Sequence, residues 1–169
     1  IDFIVRNGSR NRFIKNLSLS LKGNTLILFQ FVEKHGDKLY ELLGDCGRPV
    51  YYVHGGVDGV ARDQIRAIVE KENDAIIIAS YGTFSTGINI KNLHNLIFAS
   101  PSKSLIRVLQ SIGRSLRKAD LKEIATLFDI SDNLTHKSRE NYTLGHFKER
   151  VRIYSSEGFN YKNYKVKLK

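Results

Sequence analysis

The sequence predicts a three-layer α/β domain with a central parallel sheet, followed by a basic extension that contains a helix and a strand. Five short apolar runs are nearly continuous in Leu, Ile, Val, Phe and Tyr, which is typical of strands buried on both faces. Segments with helical spacing separate these runs, and a strand–helix–strand order pairs strands in parallel through right-handed crossovers. The predicted strands are 25–31, 50–54, 75–80, 95–100 and 124–130.

The residues ahead of the first strand contain one predicted helix. Because the chain contains no Met, even at position 1, we expect it to be part of a longer protein. Residues 1–5 are predicted to form a strand or a connector, and residues 1–7 are expected to lead in from the missing portion. Residues 9–21 have the spacing of an amphipathic helix. Its predicted apolar face consists of Phe13, Ile14, Leu17 and Leu21.

Further helices are predicted at 33–43 and 58–71, and the end of the chain has a different character. A helical apolar stripe is predicted within 133–154, and near residues 164–168 apolar residues alternate with lysines. We predict an edge strand there, whose lysine face either prevents aggregation or contacts an anionic partner. The helical stripe consists of Leu144, Phe147, Val151 and Tyr154, with Lys148, Arg150 and Arg152 beside it.

The net charge of +10 is unevenly distributed along the 169 residues. Five cations and no acidic residue lie within 102–118, and nine cations with three acidic residues lie within 133–169. Excess like charge causes self-repulsion unless a polyanion offsets it, so this distribution favours a nucleic-acid partner over merely solvated faces. No basic stretch has the bulky apolar opposite face of an interfacial helix, so no membrane partner is expected.

Metal and disulfide chemistry are not expected. The single cysteine, Cys46, excludes an internal disulfide, and the five histidines are scattered. A reducing cytoplasm is the simplest location for such a chain. Residues 129–140 resemble a calcium-binding loop, but Leu134 replaces its turn glycine and Lys137 occupies a ligand position, so we interpret them as a helix N-cap after a strand.

Residues 102–118 carry the most informative pattern. At about 100° per residue, apolar side chains occupy one arc of a predicted helix, and cations with one amide occupy the opposite arc. Residues 102–118 themselves contain no acidic residue to pair with these cations, which weakens the alternative of a solvated outer face. Gly113 would cost about 1 kcal/mol relative to Ala within a helix, so we expect close packing there. The polar arc contains Lys103, Arg107, Gln110, Arg114 and Arg117.

The Gln-x-x-Gly-Arg-x-x-Arg pattern on this helix resembles motif VI of superfamily-two helicases. Residues 25–31 resemble motif IV, 54–64 resemble the segment with His-Gly and a later Arg, 79–90 resemble motif V, and motif VI follows at 110–117. The motifs occur in the order that this family has. The resemblance implies a RecA-like lobe over 8–132, of the type that P-loop NTPases share, and leaves 133–169 as a basic extension.

The resemblance further implies the second of two lobes that hold ATP between them. Arg114 and Arg117 would reach the γ-phosphate, with Arg117 as the arginine finger, and Gln110 would orient the nucleotide or water. Gly87 and Asn89 would face the nucleotide, although the family commonly has Asp in place of Asn89. ATP and Mg²⁺ would be bound mainly by the first lobe, because this chain has no GxxxxGK[ST] loop, and the fragment alone is expected to be inactive.

Nucleic-acid contacts are implied at loops that follow the strands. Hydroxyl and amide groups at the carboxyl end of a strand are well placed to bind phosphates, with a plain Gly/Ser loop as the alternative interpretation. The implied contact residues are Ser80, Thr83, Thr86, His54, Gly55, Arg62, Lys103 and Arg107.

We therefore expect the motor lobe of an ATP-dependent DNA helicase. Its motifs most resemble family members that unwind or branch-migrate branched DNA and R-loops, in recombination, repair and replication restart. The expected partners are branched DNA, RNA–DNA hybrids and the first lobe of the same protein. A nucleic-acid-binding module without its own ATPase activity is the alternative. An unrelated small-molecule α/β enzyme is disfavoured, because such a pocket rarely exposes a row of cations.

Overall fold

A central sheet of five parallel strands confirms the predicted fold class. The computed structural model describes residues 1–54, 58–84, 92–102 and 126–169. Within them the strand order is β2–β3–β1–β4–β5, and every pairing is parallel. The strands are β1 Thr25–Phe29, β2 Val50–Val53, β3 Ile76–Ser80, β4 Asn95–Phe98 and β5 Thr126–Asp129.

Helices cover both faces of this sheet. The described α-helices are α1 Asp2–Val5, α2 Gly8–Ser20, α3 Asp37–Leu43, α4 Asp58–Lys71 and α5 Tyr142–Ser156. Helix α4 has the predicted bounds, and α2 lies one residue earlier than predicted. Residues 1–5 form no strand, because the Val5 and Arg6 amides bond to the carbonyls of Ile1 and Asp2 as in a helical turn.

Two apolar cores make up the inner surfaces of the three layers. On one face, Leu26 and Ile77 pack with Ile65 of α4 and Tyr154 of α5. On the other face, the sheet packs against α2 and α3, with Ile14, Leu39 and Leu43 buried. Burial of one such side chain contributes about 1.5–3 kcal/mol. Successive strand residues face opposite cores, which explains why the central strands are mainly apolar instead of alternating between apolar and polar residues.

The segment predicted as one helix at 33–43 is two elements. A π-helix, Val32–Gly36, precedes α3. Gly36 approaches the sheet so closely that a Cβ atom would lie 2.5 Å from the Phe29 ring. The wide turn places His35 in the interior with 0% exposure. The apolar spacing did not predict this, because a π-helical turn changes the number of residues per turn.

The predicted helix within 133–154 begins later than its apolar stripe suggested. Residues 133–141 are irregular, and Asn141, not a residue of 129–140, precedes the first turn of α5. The Asn141 side chain donates to the Asp132 carbonyl and accepts from the Leu134 amide, each at 2.9 Å. The N-cap predicted within 129–140 is therefore wrong, because these polar side chains stabilise a loop instead.

The predicted edge strand at 164–168 is also wrong. Residues 159–169 form no strand with any described part of the chain. Alternation of apolar and basic residues suits a strand, but pairing also needs an adjacent backbone, and none is in place here. Tyr164 and Val166 are consequently 75% and 56% exposed.

Within the described ranges, no helix is both long enough and apolar enough to cross a membrane.

Candidate functional site

The carboxyl ends of the five strands lie along one edge of the sheet, where parallel sheets bind ligands. His54 follows β2 directly, and Ser80 is the last residue of β3. Val53 pairs with Ala79, and each is followed by a predicted contact residue. His54 and Ser80 therefore lie at the same level on neighbouring strands. Thr83 belongs to the 3₁₀ turn Tyr81–Phe84 that follows β3. The fold thus brings three predicted nucleic-acid contacts to one edge.

An aromatic stack supports the end of β2. The His54 ring lies 4.2 Å from the Tyr52 ring, and Tyr52 stacks on Tyr40 at 5.1 Å. The Tyr52 hydroxyl donates to Asp37 at 2.6 Å, and burial followed by this bond raises its pKa, so the hydroxyl stays protonated. His54 is exposed at the end of this stack, and Arg62 is half-buried on α4. Strand β2 therefore positions His54, and helix α4 positions Arg62.

The remaining predicted site residues lie outside the described residues and stay predictions. Within the described ranges, no group of three or more His, Cys, Asp or Glu side chains could hold a metal ion. The predicted residues concerned are Gly55, Thr86, Gly87, Asn89, Lys103, Arg107, Gln110, Arg114 and Arg117.

Ser100, which follows β4 just ahead of the cationic stretch, is held by a buried polar network. Its Oγ accepts from the main-chain amide of Gln30 at 3.1 Å and lies 2.6 Å from His35 Nδ1. His35 Nε2 lies 3.1 Å from Asn11 Oδ1, while the Asn11 amide nitrogen donates to the Val5 carbonyl. Nε2 therefore carries the ring proton, and Ser100 donates to Nδ1. Burial lowers the pKa of His35 to about 3, so the ring is neutral.

This histidine should make the fold sensitive to acid. The pKa of His35 falls from its ordinary value of 6.5 to about 3 on folding, so between these values the unfolded chain binds more protons. Stability is therefore full above the upper value and falls as the pH falls through this window. At about pH 5.5, His35 alone should lower the free energy of unfolding by about 1.4 kcal/mol relative to neutral pH. Urea denaturation at a series of pH values measures this loss.

The matched control is His35→Gln, which keeps one donor and one acceptor but does not titrate. The free-energy difference between the native protein and this variant should shrink by the same amount as the pH is lowered. A difference that stays constant with pH would contradict the assignment of a neutral, buried ring.

Arg10 connects α2 to the ends of two strands. Its side chain is 2% exposed, and Nη1 donates to the Ala99 carbonyl at 2.7 Å. Its Nε donates to Asp132 Oδ1, also at 2.7 Å. A guanidinium group with fixed donors suits this role, because it bonds two acceptors at defined angles. The residues after β4 and β5 are thus held against the same helix.

A second buried cation anchors the C-terminal extension to β5. Arg150 donates to both carboxylate oxygens of Asp129, at 2.7 and 2.8 Å, and Tyr154 donates to the same group at 2.6 Å. The Arg150 and Asp129 side chains are 1% and 8% exposed. Although burial opposes its charge, the bond to Asp129 raises the pKa of Arg150. Arg150 is therefore an internal anchor and not part of the basic surface that the sequence predicted.

The buried positions of Arg10, His35 and Arg150 were not predicted from the sequence. Arg150 was counted with the basic residues of 133–169, Arg10 was not singled out, and His35 was one of several scattered histidines. A signal was available for two of them, because Arg10 precedes Ile14 and Arg150 precedes Tyr154 by four residues. That spacing places each cation on the inward face of its helix. For His35 no comparable signal exists, because the π-helix interrupts the spacing.

Comparisons with known proteins agree with the four motifs. A family model described as the helicase conserved C-terminal domain matches residues 9–119. The ATP-dependent DNA helicase uvsW of Enterobacteria phage T4 is 38% identical over 95% of this chain and 34% of its own length. A putative ATP-dependent RNA helicase of Acanthamoeba polyphaga mimivirus is 32% identical over 79% of this chain and 26% of its length. The chain thus spans about a third or less of these relatives.

Solved structures give the same result. The crystal structure of T4 UvsW matches 95% of this chain and 35% of that chain, with a TM-score of 0.76 and 37% identity. The motifs and the basic end of the chain resemble this phage helicase as well. The C-terminal domain of the DEAD-box protein Dbp5 matches 91% of this chain and 81% of that domain, with a TM-score of 0.59 and 15% identity. This second match shows the fold alone.

Proposed function

Because the chain belongs to the helicase conserved C-terminal domain family, we propose that it is the second motor lobe of an ATP-dependent DNA helicase. The observation that most supports this role is the shared edge of the sheet. His54, Ser80 and the turn with Thr83 follow β2 and β3 there, and β4 leads at the same edge to the cationic stretch 102–118. Contacts to DNA and contacts to nucleotide would thus arise from segments that leave the same edge of one sheet.

The proposed nucleotide contacts lie on the cationic stretch and the loop before it. Arg114 and Arg117 are three residues apart in a stretch, 102–118, that has no acidic residue, and guanidinium groups are donors that suit a triphosphate. Arg117 would stabilise charge on the γ-phosphate, Arg114 would assist, and Gln110 would orient the nucleotide or water. Gly87 and Asn89 would face the nucleotide. The first lobe would hold most of the ATP and its Mg²⁺, so this chain alone should not hydrolyse ATP.

The proposed substrate is branched DNA, including RNA–DNA hybrids in R-loops, during recombination, repair and replication restart. The 38% identity to a protein named as a DNA helicase supports DNA over RNA. Phosphate contacts by hydroxyl and basic groups would hold one strand while ATP binding closes the two lobes and hydrolysis reopens them. Because this relative belongs to a phage, the host cytoplasm is the proposed place of action.

The basic end of the chain should contribute to DNA binding. Lys165 and Lys167 are exposed and form no ion pair with any residue that the structure describes. Each phosphate that a cation neutralises on single-stranded DNA changes the slope of log K against log salt by about −0.7. We expect a slope of about −3 for the 169-residue chain, and about 1.4 less in magnitude after Lys165→Gln and Lys167→Gln together. Fluorescence anisotropy of a labelled oligonucleotide at several salt concentrations measures both slopes.

A matched control replaces two lysines near the opposite edge of the sheet. Lys22 precedes β1, and Lys71 ends α4 ahead of β3, so both lie near the amino ends of the strands. Their double replacement by Gln removes the same charge and should leave the slope unchanged. Equal slopes for the two double variants would show that the basic end makes no specific contact, and binding independent of salt would contradict a nucleic-acid partner altogether.

A further inference from the structure

Tyr81 connects the two segments to which the proposed function assigns DNA and ATP contacts. It follows Ser80 directly and is the first residue of the 3₁₀ turn after β3. Its hydroxyl donates to the main-chain oxygen of Ser100 at 2.5 Å. Ser100 lies between β4 and the cationic stretch 102–118. One side-chain hydrogen bond therefore joins the start of motif V to the residues just ahead of the cationic stretch 102–118, which contains motif VI.

The other bonds that the structure describes at Ala99 and the Ser100 hydroxyl come from residues of the domain scaffold. Gln30 and His35 hold the hydroxyl of Ser100. Arg10 holds the carbonyl of Ala99, whose amide donates to β1 at 2.9 Å. The Gln30 contact is through its main-chain amide, and none of these three residues is an implied DNA or nucleotide contact. Of these contacts, only the hydrogen bond from Tyr81 begins in the segment to which DNA contacts are assigned. A movement of that segment would therefore reach Ser100 through Tyr81.

Tyr81 is well suited to transmit a displacement. Its side chain is 5% exposed, and its ring packs edge-on against Phe98 with centroids 6.1 Å apart. A ring packed in this way has few alternative rotamers, so movement of its backbone moves its hydroxyl. Burial also raises the pKa of that hydroxyl, so it remains a donor at any working pH. A shift of the turn would thus pass to the Ser100 carbonyl.

We propose that Tyr81 is a positioning residue that couples DNA contact after β3 to the placement of Gln110, Arg114 and Arg117 at the nucleotide. This inference rests on the proposed function. Contact of DNA with Ser80 and Thr83 would move the turn, and the hydroxyl would carry that movement to the residues ahead of the cationic stretch. The route that this inference names is the buried hydrogen bond from the Tyr81 hydroxyl to the Ser100 carbonyl, which joins the two segments directly.

The test uses the full-length protein with both lobes and the variant Tyr81→Phe, which removes the hydroxyl and keeps the ring. The measured quantity is the ratio of ATP turnover with a saturating single-stranded oligonucleotide to turnover without it. Small misplacements of catalytic groups cost up to about 100-fold, so we expect this ratio to fall at least about tenfold. The affinity for the oligonucleotide should not change. An unchanged ratio overturns the proposal, and so does a parallel loss of affinity.

Ser100→Ala separates coupling from a merely structural role. This variant loses the bonds to Gln30 and His35 but keeps the carbonyl that Tyr81 binds. We expect a lower melting temperature and an unchanged stimulation ratio. Suppose instead that Ser100→Ala reduces the stimulation ratio as much as Tyr81→Phe does. In that case the loss of any hydrogen bond at Ser100 has the same effect, and the coupling proposal is wrong.

A measurement without substitutions covers the case in which Tyr81→Phe does not fold. Adding the oligonucleotide to the native full-length protein should change hydrogen exchange at the amides of Ser100 and Ser102, and unchanged exchange overturns the proposal. The native protein also distinguishes the two hypotheses. Absence of DNA-stimulated turnover would defeat the proposed function and this inference together, whereas stimulated turnover that is insensitive to Tyr81→Phe defeats the inference alone.

Discussion

Replacing Arg117 by Ala in the full-length protein should reduce DNA-stimulated ATP turnover by about 10³- to 10⁵-fold, the range that an arginine finger contributes. This corresponds to roughly 4 to 7 kcal/mol of activation free energy. The physical reason is that negative charge develops on the γ-phosphate oxygens in the transition state, and a guanidinium group placed there stabilises that charge selectively. Steady-state hydrolysis at saturating ATP and DNA measures the change.

The matched control is Lys118→Ala, which removes one positive charge from the adjacent position. We expect that variant to keep its turnover, and both variants to lose little DNA affinity. If Arg117→Ala turns over ATP as the native protein does, the assignment of the arginine finger is wrong. If the full-length native protein binds DNA but hydrolyses no ATP, the chain is better described as a nucleic-acid-binding module.

The sheet could be predicted because its physical signal is local. The three central strands, β1, β3 and β4, are buried on both faces, so their sequences are mainly apolar, as in the Ile-Ile-Ile-Ala run of β3. Helix α4 was predicted with its observed bounds for a similar reason, since one regular period covers its whole length. The π-helix before α3 has no such period, and its close approach to the sheet at Gly36 depends on Phe29, a residue of another element.

The site divides in the same way. His54 and Ser80 could be placed at one edge because they follow strands, and parallel strands end together. The network behind that edge could not be predicted, because its partners are distant in sequence. Arg10 and Asp132 are 122 residues apart, and Arg150 and Asp129 are 21 residues apart. A pattern along the chain indicates which face a cation occupies, but not which carboxylate it meets.

The same limit explains the error at the end of the chain. Alternation near residues 164–168 satisfies the side-chain requirement of a strand. Strand formation also requires a free sheet edge at the right place, which is a property of the tertiary structure. The extension contacts the sheet instead through α5, and the groups that make this contact, Arg150 and Tyr154, were interpreted from sequence as part of a basic amphipathic helix.

Replacing Arg150 by Ala should therefore lower the free energy of unfolding by about 3–5 kcal/mol, because it leaves the Asp129 carboxylate buried without its cation. Urea denaturation of the 169-residue chain measures the change. Lys148→Ala is the matched control on the same helix. Lys148 pairs with Glu140 at 2.5 Å, but its side chain is 55% exposed, so we expect a loss of about 1 kcal/mol or less.

The double variant Asp129→Ala with Arg150→Ala shows whether the large effect arises from an unpaired charge. Removing both partners should be less destabilising than the sum of the single variants, because no ion is then left buried. Additive effects would contradict the proposed pairing, and so would an Arg150→Ala loss no larger than that of Lys148→Ala. If urea unfolds the native chain in a single transition, α5 unfolds together with the sheet. The boundary predicted between 8–132 and 133–169 would then separate two functions within one cooperative unit.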